Sequence, residues 1–295
     1  MKGRLKILAL IGLKIAIALA FLIYLAREIN WKEVSHQLKM TSWVSLILML
    51  FGSFVGLCLE AFRWKKQVAD PQFRLIHAIR AVGMGLTVSV FLPGGSGAIA
   101  SRVLQLPESK SEERWKLVSQ ATFWQWSAIW HLGLFCYAIR QIFLGESPIF
   151  WFSLGFVSLI LASFLLGSKR YASSKWLSYI VFPPGGFSLL YLAAIRYAMY
   201  GFVLWLAIQF TPSFLHLSLF KFLPLILLSF SLQFILPVLP LLEIGFRSSV
   251  MIWVFTPFLD HESQLVAWAF LLWFFNLIIP AILGLIFGWL WFWKS

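Results

Sequence analysis

Apolar residues in this chain do not alternate and do not keep to one helical face. They run in continuous stretches of about 20 residues, the length that crosses the hydrocarbon core of a bilayer as a helix. Spans are predicted at residues 7–26, 42–62, 117–140, 148–167, 188–210 and 264–293. The first is longer than a signal peptide needs, and no small-x-small cleavage site follows it. Lys14 within it must snorkel or face protein. In INWKEVSHQLKM, Trp31, Val34 and Leu38 share one helical face. That pattern suits a short helix on the outer surface or a surface loop.

Two further apolar stretches do not fit simple crossings. Residues 81–106 are flanked on both sides by basic segments, with Arg63, Lys65, Lys66, Arg74 and Arg80 before them and Lys110, Arg114 and Lys116 after. Basic loops sit on the cytoplasmic side, so this stretch enters and leaves from within, with Pro93, Gly94, Gly95, Ser96 and Gly97 at its tip. Residues 218–256 are broken by Pro237 and Pro240. The acidic segment PFLDHES follows them, so they enter and leave from outside. The expected fold is an all-α polytopic membrane protein: one integral domain over 1–295, about six full spans, and two re-entrant helical hairpins inserted from opposite faces as an inverted repeat. Both termini are cytoplasmic.

Irregular backbone at membrane depth is tolerated only inside protein or beside a watery cavity. Paired interrupted segments in two halves of a chain point to a transporter's binding site. Each break is followed by an arginine, Arg102 nine positions after Pro93 and Arg247 seven after Pro240. Broken helices present free N–H groups, and guanidinium is suited to bidentate contact with phosphate. An unpaired arginine at the bilayer centre costs about 3 kcal/mol or more, so Glu60, Glu243 or a bound anionic headgroup must offset it. An internal ion pair locking the hairpins together is the structural counterpart of that reading.

The chain has 295 residues, 61% hydrophobic and 12% charged, with net charge +13. This composition supplies no polar skin for a water-soluble domain. The charge fits cytoplasmic loops and not nucleic-acid binding, and the sixteen Trp fit interfacial anchoring. Cys58 and Cys136 lie in apolar runs and read as buried thiols. The five His are scattered without metal-ligand spacing. No nucleotide-binding loop is present, and no cofactor is expected.

Several stretches together resemble the lysylphosphatidylglycerol synthase transmembrane-region family of flippase-like proteins. They are GLTVSVFLPGGSGAIASRVLQL, LPLLEIGFRSSVMIWVF with Glu243, Gly245 and Arg247, LLWFFNLIIPAILGLIFGW with Asn276, and AIRYAMYGFVLWLAIQF with Arg196, Tyr197 and Gln209. The resemblance implies a bacterial inner-membrane protein that translocates or handles an anionic or modified phospholipid without the soluble aminoacyl-transfer domain. Many relatives carry an acidic residue where this chain has Ala98, and a Glu-Arg pair where it reads FWQWS. These departures bear on ion coupling and on transport.

Three readings follow. The first is a lipid flippase or transporter whose headgroup site involves Pro93, Gly94, Gly95, Ser96, Gly97, Arg102, Arg196, Pro240, Glu243, Gly245, Arg247 and Asn276. The second is a non-transporting subunit of an envelope or glycosyltransferase system, with a membrane-protein partner or a second copy of itself. The third is an intramembrane serine protease using Ser96 of GGSG and His131. The rest of the rhomboid pattern is missing for this third reading, and the chain is expected not to be an enzyme.

Overall fold

The structure, a computed structural model, describes Ile23, Arg27 and residues 29–90, 96–107, 110, 113–167, 186–211, 217–234, 243–259 and 262–292. All regular structure among these residues is helical. The predicted first span, with Lys14, lies almost wholly outside them, as do Pro93, Gly94, Gly95, Pro237 and Pro240.

α1 (Trp31–Met40) is the short helix that the sequence left open against a loop. Asn30 caps it by accepting from the Glu33 N–H. Val34 is buried, Leu38 packs on the core, and Trp31 stays half exposed. The Ser263 hydroxyl donates to Glu33, tying α1 to a later helix.

α2 (Trp43–Val68) opens on the Ser42 cap and runs 26 residues, about 39 Å. One face exposes Trp43, Ile47, Phe51, Phe54 and Phe62. The other buries Ser45, Gly52, Ser53, Gly56, Glu60 and Arg63. Large apolar groups outward with small and polar groups inward is the pattern of a helix solvated by lipid. The helix outlasts its predicted end by six residues, stopping at Ala69 in the left-handed region (φ 50°) before Asp70 and Pro71. This corrects the placement of Arg63. It was expected in a basic surface loop and is only 1% exposed inside the protein.

α3 (Leu75–Ser89) and α4 (Ser96–Leu104) form an antiparallel helical hairpin. The Ser101 hydroxyl donates to the Ala81 carbonyl at 3.0 Å. A Cβ on Gly97 would collide with the backbone of Val88 and Ser89, so a residue without a side chain is required just below the tip. At about 22 Å and 13 Å, neither arm is long enough to cross a bilayer.

α5 (Arg114–Phe143), α6 (Ile149–Gly167) and α7 (Gly186–Gln209) follow, and then α8 (Leu219–Gln233) and α9 (Glu243–Phe255), which pack on each other across the second break. Buried Arg140 of α5 donates to the Trp253 and Val254 carbonyls at the C-terminus of α9, each at 3.4 Å, and lies 4.7 Å from the Trp253 ring centre. Cation and helix dipole are thereby matched.

The last long segment is α10 (Glu262–Trp273), a π-helical turn (Phe274–Ile278) and α11 (Ile279–Phe292). Asn276 lies in the π-helical turn, and Pro280 lies at the start of α11. The Ile279 N–H bonds the Phe274 carbonyl, and Pro280 has no N–H, so the Phe275 carbonyl loses both helical donors. The Ser53 hydroxyl takes their place at 2.6 Å and also reaches Asn276 Oδ1 at 3.2 Å. Ser53→Ala is therefore expected to destabilise the fold by about 1–2 kcal/mol, seen as a lower thermal midpoint.

Three described helical segments, Trp43–Val68, Ser188–Gln209 and Glu262–Ile286, are long and apolar enough to cross a membrane. Leu75–Ser89, Ile149–Ser158 and Leu219–Gln233 are shorter apolar helices. The buried apolar residues form two clusters. The smaller joins the second half of α2 to the first hairpin and the start of α5, and the larger is built on α5 and α7–α10. Cys58 and Cys136 are free thiols.

Candidate functional site

α2 sets the site by spacing alone. Ser53, Gly56 and Glu60 are three and four residues apart and share one face, and Arg63 continues it one turn on. Glu60 is 3% exposed. Its Oε1 accepts from Arg63 Nη2 and Arg102 Nη2, each at 2.6 Å. Its Oε2 accepts from Arg63 Nε at 3.1 Å and from Arg196 Nη1. One carboxylate thus holds three guanidiniums, delivered by α2, α4 and α7.

Secondary contacts fix each arginine. Arg63 also donates to Gln125 Oε1 at 2.9 Å and to the Ala121 carbonyl at 3.3 Å. Gln125 Nε2 passes the chain on to the Tyr197 hydroxyl at 3.3 Å. Arg102 lies 5.4 Å from the Trp64 ring centre, and Arg196 lies 5.2 Å from that of Tyr197 and 6.0 Å from that of Tyr200. Within the Glu60 cluster, the buried Nε atoms of Arg102 and Arg196 have no hydrogen-bond partner among the described residues.

Glu60, Arg102, Arg196 and Gln125 line a cavity of about 310 Å³ between the two helix pairs, with Arg63 outside its described lining. The first hairpin contributes Val82, Leu86, Ala98, Ile99 and Arg102, and the second pair contributes Phe230, Gln233, Phe234, Glu243 and Arg247. Glu60, Tyr197, Tyr200 and Asn276 complete the wall. Arg247 bonds Glu243 Oε2 from both Nε (3.0 Å) and Nη2 (2.6 Å), one helical turn apart.

Of the expected site residues, the structure brings Arg102, Arg196, Glu243, Arg247 and Asn276 to one cavity. Ser96 is exposed and Gly97 and Gly245 are buried in packing; none is among the described lining residues. The arginine of the first hairpin meets Glu60 of α2, and that of the second meets Glu243 of its own helix, so no described ion pair joins the two hairpins. Arg63, Gln125 and Tyr200 were not anticipated. The Glu60-x-x-Arg63 spacing carried the signal for the first of them. His131 is turned to its own helix, with Nδ1 2.6 Å from the Ser127 carbonyl, and its Nε2 has no hydrogen-bond partner among the described residues.

No protein-family model matches the chain, and no curated protein matches it at a significant level.

Proposed function

We propose that the protein is a multi-pass inner-membrane protein of bacterial type that binds an anionic phospholipid headgroup in this cavity and moves or presents it, in the manner of the flippase-like proteins its motifs resemble. It acts without a cofactor and without enzymatic chemistry. In this reading six spans and two re-entrant hairpins embed the cavity at membrane depth, with both termini cytoplasmic.

One observation carries the reading: three guanidiniums, two of them buried and that of Arg196 largely so, face a single carboxylate. Unbalanced buried charge is costly, and an anion relieves it. The apolar groups around the charged wall suit the glycerol and upper acyl carbons of a lipid. Access from the bilayer would let hairpin movements expose the headgroup to either side in turn.

Native mass spectrometry of the gently purified protein tests this. Wild type is expected to retain an anionic lipid class that folded Arg102→Ala/Arg247→Ala has lost. A second reading draws on the fact that Glu60 already saturates both its oxygens with arginine, which suits a rigid internal strut in a non-transporting subunit. Retention of another membrane protein, with no lipid in either form, would favour it.

A further inference from the structure

The charge around Glu60 bears on which anion fits. Arg63, Arg102 and Arg196 bring three positive charges to one negative one, an excess of two. No other carboxylate among the described residues forms an ion pair with these three. Glu243 and Arg247 neutralise each other on the opposite wall and leave the excess unchanged.

Donor geometry agrees with the charge. Arg102 is 7% exposed, and its Nε lacks a partner; so does that of Arg196. Two N–H groups on separate helices and the Tyr200 hydroxyl, all from residues that line the cavity, are donors for several oxygens of one group.

Resting on the headgroup reading above, we infer that the cavity selects a doubly charged phosphate, a phosphomonoester or diphosphate, over the singly charged phosphodiester of common phospholipids. A phosphodiester leaves one buried positive charge unbalanced, and a dianion leaves none. A zwitterionic headgroup brings its own cation into an already positive wall and is rejected. The phosphate is carried by a lipid, since Leu57, Leu86, Phe230 and Phe234 continue the cavity in apolar surface.

This choice has a pH signature. A phosphomonoester takes its second proton near about pH 6 and becomes singly charged. Among the described residues, the charged and titratable groups that line the cavity are Glu60, Arg102, Arg196, Tyr197, Tyr200, Glu243 and Arg247, with Arg63 bound to Glu60 behind them. No histidine is among the described residues that line the cavity, so none of the lining groups is of the type whose ordinary titration falls in this window. Preference for the monoester should therefore follow the ligand's own titration.

The test uses the wild-type chain in detergent, offered equal amounts of dioleoyl phosphatidic acid, phosphatidylglycerol and phosphatidylcholine. Bound lipid is read by native mass spectrometry at about pH 7.5 and about pH 5.5. Phosphatidic acid is expected to exceed phosphatidylglycerol by at least about tenfold at the higher pH and to lose most of that lead at the lower. Arg196→Gln should abolish the lead while phosphatidylglycerol still binds, and the wild-type comparison decides even if that variant fails to fold. Equal binding of the two anionic lipids, both above phosphatidylcholine, overturns the dianion preference and leaves the anionic-lipid reading standing. No enrichment of either overturns both. Inorganic pyrophosphate supplied as a competitor separates the sources. If it binds while no lipid is enriched, the ligand is a soluble multiply charged phosphate and the lipid assignment is overturned.

Discussion

Glu60→Gln is expected to unfold or strongly destabilise the protein. The substitution keeps the shape of the side chain and removes the one carboxylate, among the described residues, that pairs with Arg63, Arg102 and Arg196. Breaking a buried ion pair by deleting one partner costs roughly 3–5 kcal/mol, because the other charge is left uncompensated. Here three are left. A fall on the order of 10 °C in the thermal midpoint follows for a chain of this size, with reduced yield of monodisperse protein. The effect should be lopsided. Arg196→Gln lowers the positive excess instead of raising it, so in lipid-free detergent it is expected to cost far less than Glu60→Gln. The double variant Glu60→Gln/Arg63→Gln should recover part of the loss, since it removes one of the orphaned charges together with its partner. Thermal unfolding of the four proteins side by side measures this. Equal losses from Glu60→Gln and Arg196→Gln would mean that packing, not charge balance, governs the cluster.

Gly284→Val is expected to be nearly as damaging for a steric reason. α11 crosses α3 with Gly284 against the backbone of Gly83, and the Thr87 hydroxyl donates to the Ala281 carbonyl at 2.6 Å beside it. Even one methyl group at residue 284 would overlap the Gly83 carbonyl and the Thr87 hydroxyl. Backbone cannot swing aside as a side chain can, so the helices must separate and give up their interhelical hydrogen bond. A loss of about 3 kcal/mol or more is expected, read as a lower thermal midpoint. Gly155 is the control. A Cβ there meets only ordinary van der Waals neighbours, so Gly155→Ala should be nearly silent.

The breaks could be read from the sequence because proline and glycine act locally. Helices end at Ser89 and Gln233 and resume at Ser96 and Glu243, on either side of the Pro/Gly segments. Arg102 and Arg247 follow those punctuation marks by nine and seven positions, and both line the cavity. Partner identity was legible only as alternatives: Glu60 and Glu243 stood as offsets beside a bound headgroup, and Arg102 takes the first while Arg247 takes the second. Arg102 meets a glutamate 42 positions away, and Arg196 meets the same one from 136 positions away. Such pairings depend on how helices pack, which no local pattern encodes. Arg63 was concealed by its neighbours: the run RWKK has the charge of a cytoplasmic loop, while its first residue sits on the inward face of a helix that continues to Val68. Gln125 was concealed differently. Its neutral amide looked like a lost charge in FWQWS, yet it accepts from Arg63 and donates to Tyr197.

The most direct measurement is a cryo-EM structure of the wild-type protein in nanodiscs containing anionic lipid. The account predicts phosphate density within hydrogen-bond reach of the free Nε atoms of Arg102 and Arg196, with its acyl chains leading out of the cavity toward the bilayer. A cavity holding only ordered water, with all three arginines still closed on Glu60, would contradict it and leave the cluster as a structural strut.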